Sequence, residues 1–216
     1  MIRKVRERLR SEGVRATAGL ALRRLRNRAY LREQHVWYQC DLDEQRPRRE
    51  LPPPVTLVRA TLANVDAVGQ LGQSVEEARE RLEAGNDVWL ALDRGEPVFV
   101  CAAFHHATPV MAASTGTLAL PRGAACIEDS FTLAAARGRG IGPGAWTLIC
   151  DQLEQAGYTA VVSKIETANT ASRRAVEKVG FRPVAVMSHR RVARLRYTAV
   201  EPIGIGLGAE LAARLL

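Results

Sequence analysis

Three glycines within five residues, lying between a predicted strand and a predicted helix, constrain the fold of this 216-residue chain more than any other feature. They are Gly138, Gly140 and Gly142. Residues 125–133, before them, are rich in β-forming side chains, and residues 141–155, after them, carry apolar side chains at helical spacing. Such a loop leaves backbone N–H groups and the positive end of the helix dipole free to face an anion such as a pyrophosphate.

A second motif occupies residues 169–181 and reads Asn-Thr-Ala-Ser-Arg-Arg-Ala-Val-Glu-Lys-Val-Gly-Phe. A β-rich run, residues 160–165, precedes it. Asn169 is of a residue type that caps helices, and Gly180 and Phe181 are expected to close the short helix that it begins. The chain therefore repeats the order of strand, loop and helix.

Together the two motifs resemble those of the GNAT superfamily of acyl-CoA N-acyltransferases. The first loop of that family reads Arg/Gln-x-x-Gly-x-Gly/Ala, which matches Arg137, Gly140 and Gly142. Its second region reads Asn-x-x-Ser or Asn-x-x-Ala, followed by a helix that ends Glu-Lys-x-Gly-Phe. The resemblance covers residues 55–200, with motif identity confined to 125–183. It implies an α/β fold in which helices flank a mixed, mostly antiparallel central sheet.

The resemblance also implies an acyl donor, either acetyl-CoA or a longer acyl-CoA, and no metal. The strand before the loop is expected to hold the pantetheine arm through its backbone, as it would hold an added strand. The loop and the second helix are expected to hold the remainder of the donor. The residues expected to bind it are Phe131, Thr132, Leu133, Arg137, Gly138, Arg139, Gly140, Ile141, Gly142, Asn169 and Ser172.

For catalysis, the resemblance implies that Glu128 is the general base, acting directly or through a water molecule. Side chains alternate along a strand, so Asp129 is expected to point to the opposite face from Glu128. The face with Glu128 is expected to carry Cys126, Glu128, Ser130 and Thr132.

Two features of many family members are absent from this chain. The position of a glutamate five residues before the asparagine is Lys164, and the position of a tyrosine acid seven residues after it is Val176. Either Ser172 or water then protonates the departing thiolate, or the thiolate leaves unassisted, because a thiol with a pKa of about 8.5 is a fair leaving group. Alternative bases are His105, His106 and His189.

The resemblance implies an N-acyltransferase that moves an acetyl or longer acyl group to a primary amine of a small molecule, metabolite or peptide. Two alternatives stay open. One is a GNAT-fold, acyl-CoA-binding regulatory module with little catalysis, which Val176 and Lys164 favour. The other is an acyltransferase that uses an acyl-carrier protein as its donor. The sequence identifies neither the amine nor the oligomeric state.

Composition is that of an ordinary globular protein, with 47% hydrophobic and 25% charged residues. No apolar stretch of about 18 residues or more occurs, so a cytoplasmic location is expected. The four histidines and four cysteines have no metal-like spacing, and a zinc site is not expected. The thiols predicted to be reduced and mostly buried are Cys40, Cys101, Cys126 and Cys150.

Positive charge is concentrated in residues 1–32, which hold eleven basic residues against two acidic ones, a net charge of +9. Because the whole chain carries +8, the remainder is close to neutral. Apolar residues at helical spacing make this segment amphipathic. We expect it to meet an anionic membrane surface or an acidic partner, so that the protein is peripheral to the membrane. Packing of the segment on its own domain is the alternative. A nucleic acid is not favoured, because the segment has an apolar face and no aromatic side chains interleave with the arginines in residues 1–29.

The run Pro52-Pro53-Pro54 marks the expected domain boundary. Residues 1–50 are predicted to be a basic amphipathic helical arm and linker, residues 51–200 the acyltransferase domain, and residues 201–216 a C-terminal tail. Besides the motif elements, the predicted helices are 62–71, 75–84 and a patch at 210–216. The predicted strands are 55–60, 88–92, 98–105, 111–120, 183–187 and 190–200, with a hairpin turn at 93–96.

Overall fold

A computed structural model of the chain describes residues 30–192 and 195–216. The strands are β1 (Tyr30–Asp41), β2 (Val55–Arg59), β3 (Asp87–Asp93), β4 (Glu96–Phe104), β5 (Ala107–Pro109), β6 (Thr117–Ala119), β7 (Ala124–Thr132), β8 (Ala160–Glu166), β9 (Arg182–Val192) and β10 (Leu195–Pro202). The helices are α1 (Val75–Glu83), α2 (Ile141–Gln155), α3 (Thr170–Glu177) and α4 (Leu207–Ala213), with 3-10 helices at Val65–Leu71 and Ala134–Ala136. The helices predicted within residues 1–29 lie outside the described residues.

Eight strands form one sheet in the order β10-β9-β1-β8-β7-β4-β3-β2. Neighbouring strands are antiparallel except for β7 and β8, which are parallel. Strands β5 and β6 form a separate two-stranded sheet. The prediction of a mixed, mostly antiparallel sheet flanked by helices is therefore confirmed.

Strand β1 is the main departure from the expected organisation. It lies between β8 and β9, and its Trp37 and Tyr38 are completely buried. The expectation that residues 1–50 form an arm and linker therefore does not hold for residues 30–41, which supply a central strand. Because both faces of the second half of β1 are buried, it lacks the alternation of polar and apolar residues that identifies a half-exposed strand.

The segment that leads from β1 to β2 also belongs to the folded unit. A Cβ atom added to Gly144 of α2 would lie 2.8 Å from the Glu50 carbonyl oxygen and from the Leu51 Cα atom. Only glycine permits this close approach of two backbones. The chain just before the proline run is thus packed against the start of α2.

The two faces of the sheet are covered by different elements. On one face, α2 and α3 pack on a core that includes Trp146 and Phe181. The 3-10 helix, α1, the β5–β6 hairpin and α4 cover the opposite face. Leu211 of α4 is completely buried, and the Gly208 N–H donates a hydrogen bond to Gln39 Oε1 of β1 at 2.9 Å. The tail predicted at 201–216 is therefore integrated into the core.

Local predictions were met where capping and turn signals were strong. The predicted helices at 75–84 and 141–155 are confirmed as α1 and α2. The hairpin turn is also confirmed, because Arg94 and Gly95 between β3 and β4 have φ values of 53° and 91°. Ser74 accepts a hydrogen bond from the Glu77 N–H, which begins α1.

Other local predictions were wrong. The helix predicted at 62–71 is a 3-10 helix that begins at Val65. The strand predicted at 111–120 is replaced by the short hairpin of β5 and β6. The break predicted near residue 189 does not exist, because β9 continues through it to Val192. The two residues left between the predicted strands, Ser188 and His189, are polar, and the continuity of the strand across them is not visible in the hydrophobic pattern.

Candidate active site

The central sheet opens between its two parallel strands. β7 and β8 are paired over three residues only, and the last pair is Cys126 with Val162. Beyond that pair, β7 continues along β4 to Thr132, and β8 continues along β1 to Glu166. Alternate backbone groups on the edge of β7 that faces β8 therefore have no strand partner, and an extended ligand can bind there as an added strand.

A β-bulge in β7 lies at the start of this opening. Glu128 and Phe131 pair with residues of β4 that are only two positions apart, so β7 contains one extra residue. Asp129 adopts a positive φ of 52°, and its carboxylate accepts a 2.6 Å hydrogen bond from Arg81 of α1. The bulge reverses the faces of the sheet to which the following side chains point.

The bulge overturns the predicted alternation. Cys126 and Glu128 remain on the face covered by α4 and the β5–β6 hairpin, where the Cys126 thiol contacts the Glu128 carboxylate. Ser130 points to the α2 face, where its Oγ accepts a 3.0 Å hydrogen bond from Trp146 Nε1. The prediction that Cys126, Glu128, Ser130 and Thr132 share one face is therefore wrong.

A groove with a volume of about 590 Å³ runs along the open end of β7 between α2 and α3. Leu133 is not among the residues that line it, and its side chain packs against the core. Arg139 is also absent from the lining, and its guanidinium binds Asp93 at 2.7 Å. The other predicted donor-binding residues all line the groove, namely Phe131, Thr132, Arg137, Gly138, Gly140, Ile141, Gly142, Asn169 and Ser172.

The glycine loop leaves open space on its groove side. Gly138 and Gly140 have φ values of 78° and 83°, and a Cβ atom at either position would have no neighbour within 4 Å. The first N–H groups of α2 have no acceptor within the helix, and Pro143 has no N–H. A Cβ at Gly142 would lie 3.7 Å from Trp146, inside the groove. These features fit the diphosphate and pantetheine of an acyl-CoA.

Two cationic side chains border the groove. Arg137 lies over the Phe131 ring, with its Cζ atom 5.7 Å from the ring centre, and its Nε donates to the Thr132 carbonyl at 3.1 Å. Lys178, at the end of α3, borders the opposite side. The sequence analysis did not select Lys178 as a binding residue, although it is the lysine of the Glu-Lys-x-Gly-Phe motif.

A second cavity, of about 290 Å³, lies in the opening between β7 and β8. The groove and this cavity meet, because four residues line both: Ser130, Trp146, Asn169 and Ser172. The cavity is otherwise strongly polar. The further side chains that concern its chemistry are His35, Glu128, Lys164, Glu166 and Val176.

Glu128, the predicted base, lines the cavity but is engaged by three donors. Its carboxylate forms an ion pair with Lys164 of β8 and accepts hydrogen bonds from Thr108 Oγ1 at 3.1 Å and from Cys126 Sγ at 3.2 Å. The side chains of Glu128 and Lys164 are only 12% and 7% exposed. The carboxylate is thus held in one position at the cavity wall.

Lys164 is an unusual residue for this position. Burial lowers the pKa of its ammonium group, while the neighbouring Cys126 and Glu33 act in the opposite direction. Its Nζ lies 5.6 Å from the centre of the Trp37 ring and donates to Thr108 Oγ1 at 3.3 Å. The Lys164 amine is therefore enclosed at the cavity wall, and its burial disfavours the protonated form.

The start of α3 brings the second motif to the junction of groove and cavity. The Asn169 side chain accepts a 3.1 Å hydrogen bond from the Ser172 N–H, so the predicted cap is confirmed. Ser172 lines both spaces, and Val176, one turn later, is buried at the cavity wall. The aliphatic Val176 side chain has no proton to donate.

The three histidines considered as alternative bases line neither the groove nor the cavity. His105 is held between Asp87, 3.1 Å from its Nε2, and the Tyr158 hydroxyl, 2.8 Å from its Nδ1. His189 is 1% exposed, and His106 is exposed on the surface. None of them is therefore placed for proton transfer at this site.

His35 of β1 lines the cavity instead. Its Nδ1 is buried and has no hydrogen-bond partner among the described residues. Burial and the neighbouring Lys164 lower the pKa of its ring, while Glu166, directly opposite on β8, acts to raise it. The sequence analysis missed His35 because it assigned that part of the chain to a linker.

The sheet opening, the glycine loop at the start of α2 and the groove define a class of protein that binds an acyl-CoA-like donor beside two separated parallel strands. A family model described as the acetyltransferase (GNAT) domain matches residues 57–182, which is more than half of the chain. The chain belongs to the GNAT acetyltransferase family.

Solved structures with low sequence identity share the fold. A GCN5-related N-acetyltransferase from Sphaerobacter thermophilus is 19% identical, with a TM-score of 0.54 over 87% of this chain and 58% of that one. An acetyltransferase of the GNAT family from Colwellia psychrerythraea is 13% identical, with a TM-score of 0.51 over 71% of this chain and 53% of that one. The chain thus matches little more than half of either structure. No curated protein matches it significantly.

Within residues 30–192 and 195–216, no group of three or more His, Cys, Asp or Glu residues is arranged to hold a metal ion. No helix in those ranges is long and apolar enough to cross a membrane.

Proposed function

We propose that this protein is an N-acyltransferase that moves an acetyl or longer acyl group from acyl-CoA to a primary amine of a small molecule, metabolite or peptide. One observation carries the proposal: the groove beside the glycine loop and the polar cavity meet at Ser130 and Ser172. A thioester that lies along the groove therefore places its carbonyl where an amine in the cavity can attack it.

The donor is proposed to bind in three parts. Its diphosphate faces the N–H groups of the loop and the first turn of α2, with Arg137 and Lys178 beside it. Its pantetheine arm lies along the open edge of β7 near Phe131 and Thr132. Backbone N–H groups of the same edge are suited to polarise the thioester carbonyl, because they are fixed before the reaction begins.

Glu128 is proposed to accept the proton of the acceptor amine, directly or through water. An amine attacks only as its neutral form, so a fixed carboxylate at the cavity wall favours the reaction. The ion pair with Lys164 means that Glu128 works as one member of a coupled pair of ionisable groups. His35 is the competing base, because it is the histidine on the cavity wall.

The departing thiolate is proposed to take its proton from Ser172 or from water, or to leave as the thiolate. Val176 occupies the position where many relatives carry a tyrosine acid, and its side chain offers no proton. Ser172 is the hydroxyl at the junction of groove and cavity on α3. A thiol with a pKa of about 8.5 leaves readily near neutral pH, so a weak acid suffices.

A second candidate function is an acyl-CoA-binding regulatory module with little catalysis. It is favoured by the engagement of the Glu128 carboxylate with Lys164 and by Val176 in place of an acid. An acyl-carrier protein is a weaker candidate for the donor, because its phosphopantetheine lacks the diphosphate that the glycine loop fits. We place the protein in the cytoplasm, with peripheral association through its basic arm.

The test is to incubate the protein with acetyl-CoA and a panel of primary amines, namely polyamines, amino sugars, amino acids and short peptides. Turnover is measured from the release of free thiol and from the mass of the product. Gly142→Leu should abolish turnover, because the side chain would enter the groove beside Trp146. Leu148→Gln, at a surface position of the same helix, is the matched control and should retain activity. Binding of acetyl-CoA without turnover of any amine would favour the regulatory module.

A further inference from the structure

The tip of the β9–β10 hairpin exposes apolar side chains on one face of the sheet. Val192 and Leu195 lie directly opposite each other and are 51% and 78% exposed. Tyr197, two residues after Leu195, lies on the same face and is 67% exposed. Single exposed apolar residues are ordinary, but three neighbours on one face form a patch that points to a binding surface.

Arginines form the next row of the same face. Arg190 lies opposite Tyr197 on one side and opposite Arg32 of β1 on the other, and both arginines are exposed. Like charges directly opposite each other destabilise a sheet. The pairing of Arg32 with Arg190 is therefore not explained by stability, but an anionic partner would neutralise it.

The basic arm leaves the fold at this same place. Tyr30, the first residue of β1, lies opposite Val192 in the register of β1 and β9. The chain before it carries most of the +9 charge of residues 1–32 and has apolar residues at helical spacing. The basic arm is therefore joined to the fold at the end of the sheet where the hairpin tip lies.

We propose that the hairpin tip, which comprises Arg32, Arg190, Val192, Leu195 and Tyr197, binds an anionic lipid surface. Along the strands, the side chains on this face change from exposed apolar residues at the tip to arginine and tyrosine, and then to the half-buried Gln34–Ser188 hydrogen bond. Consecutive rows are about 7 Å apart, because two strand residues span that distance. This order matches the acyl boundary, the headgroup layer and water at a bilayer surface.

A lipid surface fits better than a nucleic acid. Phosphate backbones would bind the arginines, but they give no reason for Val192 and Leu195 to be exposed at the outermost position. Tyrosine and arginine are the side chains that favour the interface between lipid and water. The apolar tip would enter the bilayer surface while the arginines hold lipid phosphates.

The test is co-sedimentation of the full chain with phosphatidylcholine vesicles, with and without phosphatidylserine as a quarter of the lipid. We expect binding to the anionic vesicles only, and weaker binding at high salt because exposed charges are screened. Leu195→Glu and Tyr197→Glu should each lower the affinity by at least tenfold. Leu62→Glu, at an apolar position that is 52% exposed elsewhere on the surface, is the matched control and should bind as wild type does.

Each variant is first checked for an unchanged thermal midpoint and unchanged acetyl-CoA binding, so a folding defect is recognised separately. Equal vesicle binding by wild type and Leu195→Glu would overturn the proposal, as would no vesicle binding by the wild type. Preferential binding of a single-stranded RNA oligonucleotide that survives Leu195→Glu would assign the surface to nucleic acid instead. A dimer in light scattering that Leu195→Glu dissolves would assign it to self-association. None of these outcomes depends on amine turnover.

Discussion

Lys164 forms an ion pair with Glu128 across the gap where β7 and β8 separate. Lys164 occupies the position at which some relatives carry a glutamate. Glu128 occupies the position at which other relatives carry their general base. At the cavity wall a carboxylate and an amine are thus in contact. Substitution of each member of this pair provides a direct test of the proposed base.

Glu128→Gln is expected to lower the maximal rate by about 10²- to 10⁴-fold, which is the usual contribution of general-base catalysis. Acetyl-CoA affinity should change little. The deficit should shrink at high pH, where more of the acceptor amine is already neutral. The measurement is the pH–rate profile on an amine found in the turnover screen, and a rate within a few-fold of wild type at neutral pH would contradict the assignment.

Because Glu128→Gln also leaves the Lys164 charge buried without its partner, we expect it to cost about 3–5 kcal/mol of unfolding free energy. The double variant Glu128→Gln with Lys164→Met should recover most of that stability without recovering activity. Urea unfolding of both variants, alongside the kinetics, separates the catalytic loss from the structural one.

Gly140→Val is expected to abolish acetyl-CoA binding, because the branched side chain would project into the open space beside the loop. Gly157→Val is the matched control. Gly157 also has a positive φ, of 89°, and open space around it, but it follows the far end of α2. Isothermal calorimetry of the two folded variants should show loss of binding in the first alone. Unchanged affinity in Gly140→Val would remove the proposed diphosphate site.

A chain truncated to begin at Tyr30 is expected to remain folded and to bind acetyl-CoA. A chain that begins at Leu51 is expected to be insoluble or unfolded, because it lacks the central strand β1 and exposes the edges of β8 and β9. Circular dichroism and thermal unfolding of the two chains provide the comparison. A stable, cooperative chain from Leu51 onward would contradict the central role of β1.

Stability is expected to fall in mild acid partly because of His35. Its pKa is lowered in the folded state, so between its folded pKa and about 6.5 the unfolded chain binds a proton that the folded chain does not. Stability is thus present above pH 6.5 and is lost as the pH falls below it. Urea midpoints at pH 7 and pH 5 should differ less for His35→Gln than for wild type, and an identical difference would contradict this.

All four cysteines are free and buried, as predicted for reduced, buried thiols, and burial raises the pKa of Cys101 to about 12. We therefore expect a thiol-reactive dye at pH 8 to label none of them in the native protein, since the reaction needs an accessible thiolate. Labelling of all four after urea unfolding is the control. Rapid native labelling would show that the core around one of these cysteines opens.

The sequence predicted the glycine loop, its flanking strand and helix, and the capping asparagine, because each depends on local chemistry that recurs wherever a chain turns from strand to helix. It did not predict β1, since Arg32 to His35 are polar and the following residues are buried on both faces. It also did not predict the bulge at Asp129, because the extra residue is visible only in the pairing with β4. The contact between Glu128 and Lys164 continues the parallel register of β7 and β8, which is also visible only in the folded sheet.

The position of β1 sets the order in which the fold is completed during synthesis. The strand leaves the ribosome well before its partners β8 and β9. Until they emerge, a segment with Trp37 and Tyr38 lacks the two strands between which it is buried. Closure of a contact this distant in sequence is slow and entropically costly, so the nascent chain depends on protection of β1 until β8 and β9 are made.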